Sequence, residues 1–327
     1  MILVTGASGF LGQHLVQSLS AKGELVRALY YKNKPGAKLL ALKGVTWQYA
    51  DLLDVYDVAT VMEGITHVYH CAAIISFQPA GQQMMLHFNP ESTANIVNQA
   101  LEQGITKMVY VSSIAALGKA TAEKPQITEE EQWGENDYSS AYGMSKYLAE
   151  TEVWRGIGEG LNAVIVNPGI ILGEGDFVDG STELTKLAWK EFPFYTNGIT
   201  AWVDVKDVAS AMQALMASGY EAERYILSNG NRSFRDVFTL MAQSLNKRPP
   251  RFYANALITG LAWRLGKLMA LFGKKPVITR ETARNANTQN HYDNKKLLAA
   301  LPAFSYTPLE KTIERMADAF SATNHKN

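Results

Sequence analysis

The sequence predicts an α/β protein, a doubly wound parallel sheet with a smaller, mostly helical lobe toward its C-terminal end. Three observations carry that prediction. Short β-branched runs alternate with helical stretches through the first half of the chain, glycines crowd the first strand-to-helix junction, and past Pro168 the alternation gives way to loops and helices.

The opening run Met1-Ile-Leu-Val-Thr leads straight into Gly6, Ser8, Gly9 and Gly12, while Phe10, Leu11, Leu15, Val16 and Leu19 recur at helical spacing. A strand, a glycine turn and a helix in that order aim backbone N–H groups and the positive helix end at an anion. The missing Cβ atoms leave room for a pyrophosphate, so the turn points to a dinucleotide. Residues 25–30, 45–49, 67–70, 105–111 and 161–166 read as five further strands. Residues 1–168 are expected to form the nucleotide-binding unit, with 199–228 returning to its sheet through strand-like sequence at 200–205 and 224–228. Residues 169–327 are then a lobe over the carboxyl ends of the strands, where open α/β sheets bind ligands.

A chain of 327 residues, 47% hydrophobic and 19% charged, is long enough for one large unit plus a smaller one. Its 31 basic residues balance 31 acidic ones, so no overall field draws nucleic acid or an anionic membrane, and a small molecule is the expected partner. Cys71 is the single cysteine, which excludes an internal disulfide and a thiolate metal cluster. It suits a reducing compartment, and with a strand beginning at residue 2 a cytoplasmic location is expected. Residues 256–272 are apolar but interrupted by Arg264 and Lys267, with Leu257, Leu261, Leu265, Leu268 and Phe272 at helical spacing. That pattern describes an amphipathic helix packed as lid or core rather than a span of ~20 apolar residues. Membrane contact is not expected; the second reading is a helix lying on headgroups through Arg264, Lys267, Lys274 and Lys275.

Val111-Ser112-Ser113 closes the fifth strand, and Tyr142-Gly-Met-Ser-Lys146 opens a helical run some thirty residues later. A spacing of four puts Tyr142 and Lys146 on one helix face, about 6 Å apart along the axis. A free tyrosine titrates near ~10, so its proton moves at neutral pH only where the phenolate is favoured, as a neighbouring ammonium favours it. Ser113 would hold a substrate oxygen while Tyr142 moves the proton. The Tyr-x-x-x-Lys spacing also occurs at Tyr30 with Lys34 and at Tyr292 with Lys296. Only Tyr142 follows a strand that ends in serine, and the other two read as partly exposed structural tyrosines.

With those residues in order, the chain resembles the extended short-chain dehydrogenases/reductases of the NAD-dependent epimerase/dehydratase type, nearest to the branch of dihydroflavonol 4-reductases and 3-beta-hydroxysteroid dehydrogenases. The resemblance covers nearly the whole chain and implies a Rossmann fold. Thr5-Gly-Ala-Ser-Gly-Phe-Leu-Gly12 matches the family's nucleotide turn, Ala50-Asp51-Leu52 its segment at the adenine, and His70-Cys-Ala-Ala73 the stretch under the cofactor. Asn89 opens its next helix, and Asn167-Pro168-Gly169 with Ile171 falls where its backbone nears the nicotinamide. Trp202-Val-Asp-Val-Lys-Asp207 and Tyr292-Asp-Asn-Lys295 resemble later landmarks. The resemblance implies Ser113, Tyr142 and Lys146 as catalytic residues. It implies cofactor contacts from Gly6, Ser8, Gly9, Phe10, Leu11, Gly12, Tyr31, Lys32, Asp51, Leu52, Ala72, Ala73, Asn89, Pro168 and Ile171. Taken singly, Asp51 is equally a turn cap, His70 a satisfied core histidine and Asn89 an N-cap. Family members often dimerise through two helices, which here would lie near 84–103 and 142–156.

At the end of the second strand, Leu29-Tyr30-Tyr31-Lys32 lacks the acid with which NAD-preferring relatives meet a ribose hydroxyl; Lys32, Lys34 and Lys38 offer cations instead. NADP is therefore preferred over NAD. Ser113 is followed by Ile114-Ala115-Ala116 rather than the acidic pair of the sugar-nucleotide dehydratases, and Asn167 stands where many sugar-nucleotide relatives carry arginine. Ile74, Ile75, Phe77, Phe177 and 189–195 either line an apolar pocket or form the core of the lobe. The resulting expectation is an NAD(P)(H)-dependent oxidoreductase acting on a carbonyl or alcohol, dihydroflavonol-reductase-like. The alternative is a nucleotide-sugar epimerase with tightly bound NAD, and a third reading is a non-catalytic nucleotide sensor on the same fold.

Overall fold

The computed structural model describes residues 1–32, 34–76, 78–120, 124–133, 140–177, 180–270 and 279–324. Phe77, Phe272, Lys274 and Lys275, singled out above, lie outside the described residues. The first half runs β1 (Ile2–Thr5), α1 (Phe10–Ala21), β2 (Val26–Tyr30), α2 (Ala37–Leu40), β3 (Val45–Tyr49), α3 (Val55–Met62), β4 (His67–His70), α4 (Pro79–Glu102), β5 (Lys107–Val111), the short β6 (Gln126–Ile127), α5 (Ala141–Gly158) and β7 (Ala163–Pro168). The remainder runs β8 (Ile170–Leu172), α6 (Glu183–Trp189), β9 (Phe194–Tyr195), β10 (Ile199–Asp204), α7 (Val205–Ala217), β11 (Glu223–Leu227), β12 (Asn231–Ser233), α8 (Phe234–Ser244), β13 (Phe252–Tyr253), α9 (Ala256–Ala270), α10 (Arg280–Asn285), β14 (His291–Tyr292), α11 (Lys295–Ala300) and α12 (Leu309–Asn324).

Seven strands form one parallel sheet in the order β3-β2-β1-β4-β5-β7-β11. The order reverses between β1 and β4, and that switch point is where a doubly wound sheet opens a crevice at its carboxyl edge. β5 and β7 are buried along their length, as strands covered on both faces must be. One face packs Leu11, Leu15 and Leu19 of α1 with Val208, Met212 and Leu215 of α7; the other packs α3, α4 and α5 through Val58, Val61, Ile96, Val97, Ala149 and Val153. Helix starts follow local chemistry. Asp54 caps α3, Ser140 caps α5, Asp204 caps α7 and Ser233 caps α8, each side chain accepting a first-turn N–H.

Two expectations are corrected and one open reading is decided. Residues 223–227 join the central sheet, but 199–204 do not: β10 lies between β8 and β12 in a separate three-stranded sheet. The outer edge of β7 is taken by β11, and Gly169 lets the chain turn closely past Ala201, whose carbonyl oxygen an added Cβ would meet at 2.5 Å. Of the two readings for Phe177, the structure has the lobe core, and Trp189 sits at its exposed edge. Phe177 is buried with its ring edge-on to Phe320, Trp189 leans on the same ring, and Trp202, Met241, Ile313 and Met316 complete that cluster. Helix α9 exists, yet Leu257 and Leu261 face solvent, because the helix docks on α10 through Thr259, which accepts from Asn287 Nδ2 at 2.9 Å. No helix among the described residues is long and apolar enough to cross a membrane.

Candidate active site and nucleotide cleft

The glycine turn is built for close approach. Gly6 adopts φ 62°, and a Cβ there would lie 2.7 Å from Ala72 Cα; a Cβ on Gly12 would lie 2.1 Å from the Gly6 carbonyl oxygen. Gly9 begins α1 without a side-chain cap, and no acid occupies the first turn, so the N–H groups of the helix start remain available to an anion. Leu11 and Leu52 are buried, which restricts them to backbone contacts with any nucleotide. Phe10 stands edge-on to His14 and packs beside Gly175, and Ser8 is half-buried in the turn.

Behind the turn, Thr5 Oγ1 accepts the N–H groups of Cys71 (3.2 Å) and Ala72 (3.1 Å), so its own proton goes to His70 Nδ1 at 2.7 Å. His70 Nε2 then donates to Thr93 Oγ1 at 3.1 Å, and Thr93 donates to the Asn89 carbonyl at 2.7 Å. This relay fixes one neutral tautomer, and burial pushes the imidazole down to about 3. His70 is thus the satisfied core histidine, and it ties the ends of β1 and β4 to α4.

Asn89 uses its whole amide on the protein: Oδ1 accepts from Ile74 N at 2.8 Å, and Nδ2 donates to the Ile74 carbonyl at 3.0 Å and to Ser145 Oγ at 2.9 Å. It holds the backbone of the loop carrying Ala72 and Ala73 against α5. Asp51 receives the N–H of Leu53 at 3.0 Å and the hydroxyl of Tyr31, whose pKa its charge raises. Tyr31 stacks on Tyr49 with centroids 5.8 Å apart, and Lys32 Nζ lies 5.6 Å from the Tyr31 ring, making an exposed aromatic and cationic ledge after β2. Pro168 ends β7 in the core, and the half-buried Ile171 offers its carbonyl to Ser181.

Ser113, Tyr142 and Lys146 meet at the carboxyl end of β5. The Tyr142 side chain hydrogen-bonds the Ser113 side chain, and Ser113 Oγ also accepts from Ala115 N at 3.1 Å. Burial, aided by the charge of Glu281, holds the Tyr142 hydroxyl above its ordinary value, against the lowering effect of Ser113. Lys146 Nζ donates to the Val111 carbonyl at 2.9 Å, two residues before Ser113, and lies over the Tyr110 ring at 5.4 Å. Burial pushes this ammonium down to about 8.

The other two pairs belong elsewhere. Lys296 is bonded to Glu223 at 2.5 Å, and Tyr292 is buried rather than partly exposed, because β14 packs into the cluster of Ile127 and Ile226. Tyr30 rests edge-on against Tyr49, and Lys34 is exposed.

Two residues escaped sequence reasoning. Glu150 extends the stripe of Tyr142 and Lys146 by one more turn and is buried, accepting from Ser112 Oγ (2.6 Å), Asn167 Nδ2 (2.9 Å), Trp154 Nε1 (3.2 Å) and Arg224 Nη1 (3.0 Å). The helical repeat was the available signal. Glu281, on α10, accepts from Ser140 Oγ and from the N–H groups of Ala141 and Tyr142, capping the helix that presents Tyr142. No local pattern announces it, since α10 lies about 140 residues away.

The comparisons agree with this geometry. Residues 2–227 match the model of the NAD dependent epimerase/dehydratase family. The chain belongs to that family. A protein named for dihydroflavonol 4-reductase from Synechocystis sp. is 29% identical, covering 91% of this chain and 88% of its own. The crystal structure of gox2253 superposes with a TM-score of 0.84 at 28% identity, over 99% of this chain and 98% of its own. The NAD complex of UDP-glucose 4-epimerase from Thermus thermophilus gives 0.77 at 22% identity over 98% of each chain, a likeness of fold. The family member described here is an NAD(P)-binding protein, and its glycine turn, uncapped α1 and aromatic ledge fit a dinucleotide across the switch point.

Proposed function

We propose that the protein is a reductase of apolar carbonyls, working in reverse as an alcohol dehydrogenase, with NADP(H) preferred. The observation that carries this is the bond between the Tyr142 and Ser113 side chains, with Lys146 anchored on Val111 beneath them. Hydride exchange is the chemistry that a bound nicotinamide supplies. Ser113 Oγ orients the substrate oxygen, the Tyr142 hydroxyl gives it a proton in reduction and takes one back in oxidation, and the Lys146 ammonium favours the phenolate left behind.

The N–H groups at the uncapped start of α1 would hold the pyrophosphate. Lys32 and Lys34 are exposed just after β2, and their charge would suit a 2′-phosphate on a ribose held at that strand end. Asn167 donates its amide N–H groups to Glu150 and the Ser113 carbonyl and carries no positive charge for a sugar diphosphate; Ile74 and Ile75, in the segment after β4, suit an aromatic or aliphatic carbonyl. The reductase named above supports the same class.

Native mass spectrometry of the fresh protein, then fluorescence titration with NADPH and NADH, tests the reading. Expected are a protein that binds added NADPH more tightly than NADH and turns over members of an aromatic and aliphatic carbonyl panel. Stoichiometric NAD retained through purification would reassign the protein to nucleotide-sugar epimerisation, and NADH binding about tenfold tighter than NADPH, about 1.4 kcal/mol, would overturn the preference.

A further inference from the structure

We propose that the face formed by β13 and the first turns of α9 docks on an anionic lipid surface. Isolated exposed leucines are ordinary, but a contiguous apolar patch is not. Here Leu257 is 82% exposed, Leu261 63% and Phe252 60%, with Ile258, Tyr253 and Phe194 also exposed. They are neighbours by construction. Phe252 pairs with Phe194 across β13 and β9, their rings 6.0 Å apart, and α9 starts three residues after Tyr253, its first N–H groups at Leu257 and Ile258 held by Asn255 Oδ1. Leu257, Leu261 and Arg264 follow at helical spacing on one stripe, while Thr259 on the opposite side packs on Asn287.

Charge selects the occupant. From Lys247 to Arg284 the described basic residues include Lys247, Arg251, Arg264, Arg280 and Arg284, with Arg248 paired to Glu191, against one acid. That one acid, Glu281, is buried at the start of α5, whereas Arg251, Arg264, Arg280 and Arg284 are exposed. Arg235 adds its guanidinium over the Tyr195 ring at 4.7 Å. A second copy placed on this face by two-fold symmetry would oppose like charges, whereas an anionic bilayer satisfies the apolar stripe and the basic residues together. The balance of charge over the whole chain conceals this local excess. Such docking would hold the site near carbonyls dissolved in lipid, but it rests on the surface alone and not on the proposed reaction.

Flotation of the full chain with vesicles tests it, using phosphatidylcholine alone and phosphatidylcholine with about one-third phosphatidylglycerol. The expected result is binding to the anionic vesicles that weakens with salt and falls about tenfold in Leu257→Ser/Leu261→Ser, and likewise in Arg251→Gln/Arg264→Gln. Unchanged melting temperature and NADPH titration establish that each variant is folded; should the leucine variant not fold, the arginine variant decides. Equal recovery with neutral and anionic vesicles, or variants that float like the parent, would overturn the proposal. So would a parental dimer, seen by light scattering, that Leu257→Ser/Leu261→Ser dissociates, which would assign the face to a second copy.

Discussion

Asn167 Nδ2 lies 2.9 Å from the buried carboxylate of Glu150 and 3.0 Å from the carbonyl oxygen of Ser113. One amide thus joins a helix carboxylate to the residue proposed to orient the substrate. Ser112 Oγ reaches the same carboxylate oxygen, and Arg224 locks the other while donating to the carbonyls of Glu129 and Glu131. Glu150 touches none of the reacting groups, so its role is to position Ser113 relative to Tyr142.

Glu150→Gln keeps the shape but replaces a lone-pair acceptor with an N–H that must face Ser112, Asn167, Trp154 or Arg224, all donors. Turnover should fall roughly tenfold to a hundredfold, the scale of a displacement of about 1 Å, with NADPH affinity nearly unchanged. Glu150→Asp should recover part of kcat. Glu150→Ala strands Arg224 and should cost about 3–5 kcal/mol in urea denaturation. Equal losses of kcat and cofactor affinity in Glu150→Gln would show a structural role only.

Tyr142→Phe removes one hydroxyl from a half-buried ring and leaves the Ser140 cap of α5 in place. Stability should change by no more than about 1 kcal/mol, the worth of one hydrogen bond, while kcat falls roughly a hundredfold or more. A Tyr142→Phe protein with parental turnover on every accepted carbonyl would remove tyrosine from the proton transfer.

Lys146 is buried and its ammonium is pushed from 10.5 down to about 8, so the folded state holds the charged form at a cost. Below about pH 8 both folded and unfolded chains carry the charge and the cost is complete; between about 8 and 10.5 the folded chain sheds it first and the cost fades. Lys146→Met has no such window. The stability of the parent relative to Lys146→Met should therefore rise by about 3 kcal/mol from pH 7 to pH 10.5, read from urea midpoints. Parallel curves would mean that Lys146 keeps its ordinary pKa in the folded chain, as an ammonium free in solvent would. Loss of turnover in the same variant at every pH would accompany either outcome if the charge serves Tyr142.

The central sheet was legible because each strand is a separate apolar run and parallel crossovers leave little choice of topology. Tyr142 and Lys146 were legible because their spacing is local, and position relative to β5 separated them from the pairs at Tyr30 and Tyr292. What stayed hidden depends on contacts between distant segments. β10 is more β-branched than β11, yet β11 holds the β7 edge and β10 pairs with β8 and β12. Phe177 looks the same in sequence whether it lines a cleft or meets Phe320, and Leu257 and Leu261 whether they pack or face water. The bonds of Asn89 to Ile74 and Ser145 were likewise hidden, since hydrogen-bond partners are set by neighbours that sequence does not name.

His70 supplies a last test, because its relay works in one protonation state. Nδ1 must accept from Thr5, whose oxygen is already taken by Cys71 N and Ala72 N, and Nε2 must donate to Thr93. A second ring proton would face the Thr5 proton with no acceptor between them. With the folded pKa near 3 against an ordinary 6.5, the unfolded chain binds the proton first, so stability is level above about 6.5 and declines as pH falls toward 3. The decline should amount to several kcal/mol between pH 7 and pH 4 and be largely absent in His70→Gln, which should itself lose about 1–2 kcal/mol at pH 7 for its imperfect bridge. The same relay holds Ala72 behind Gly6 and reaches the Asn89 carbonyl, so NADPH affinity should weaken with the same acid midpoint as stability. A parent and His70→Gln that lose stability in parallel would place the acid sensitivity in carboxylates such as Glu174, which Arg315 and Lys206 hold down at about 2, rather than in the histidine.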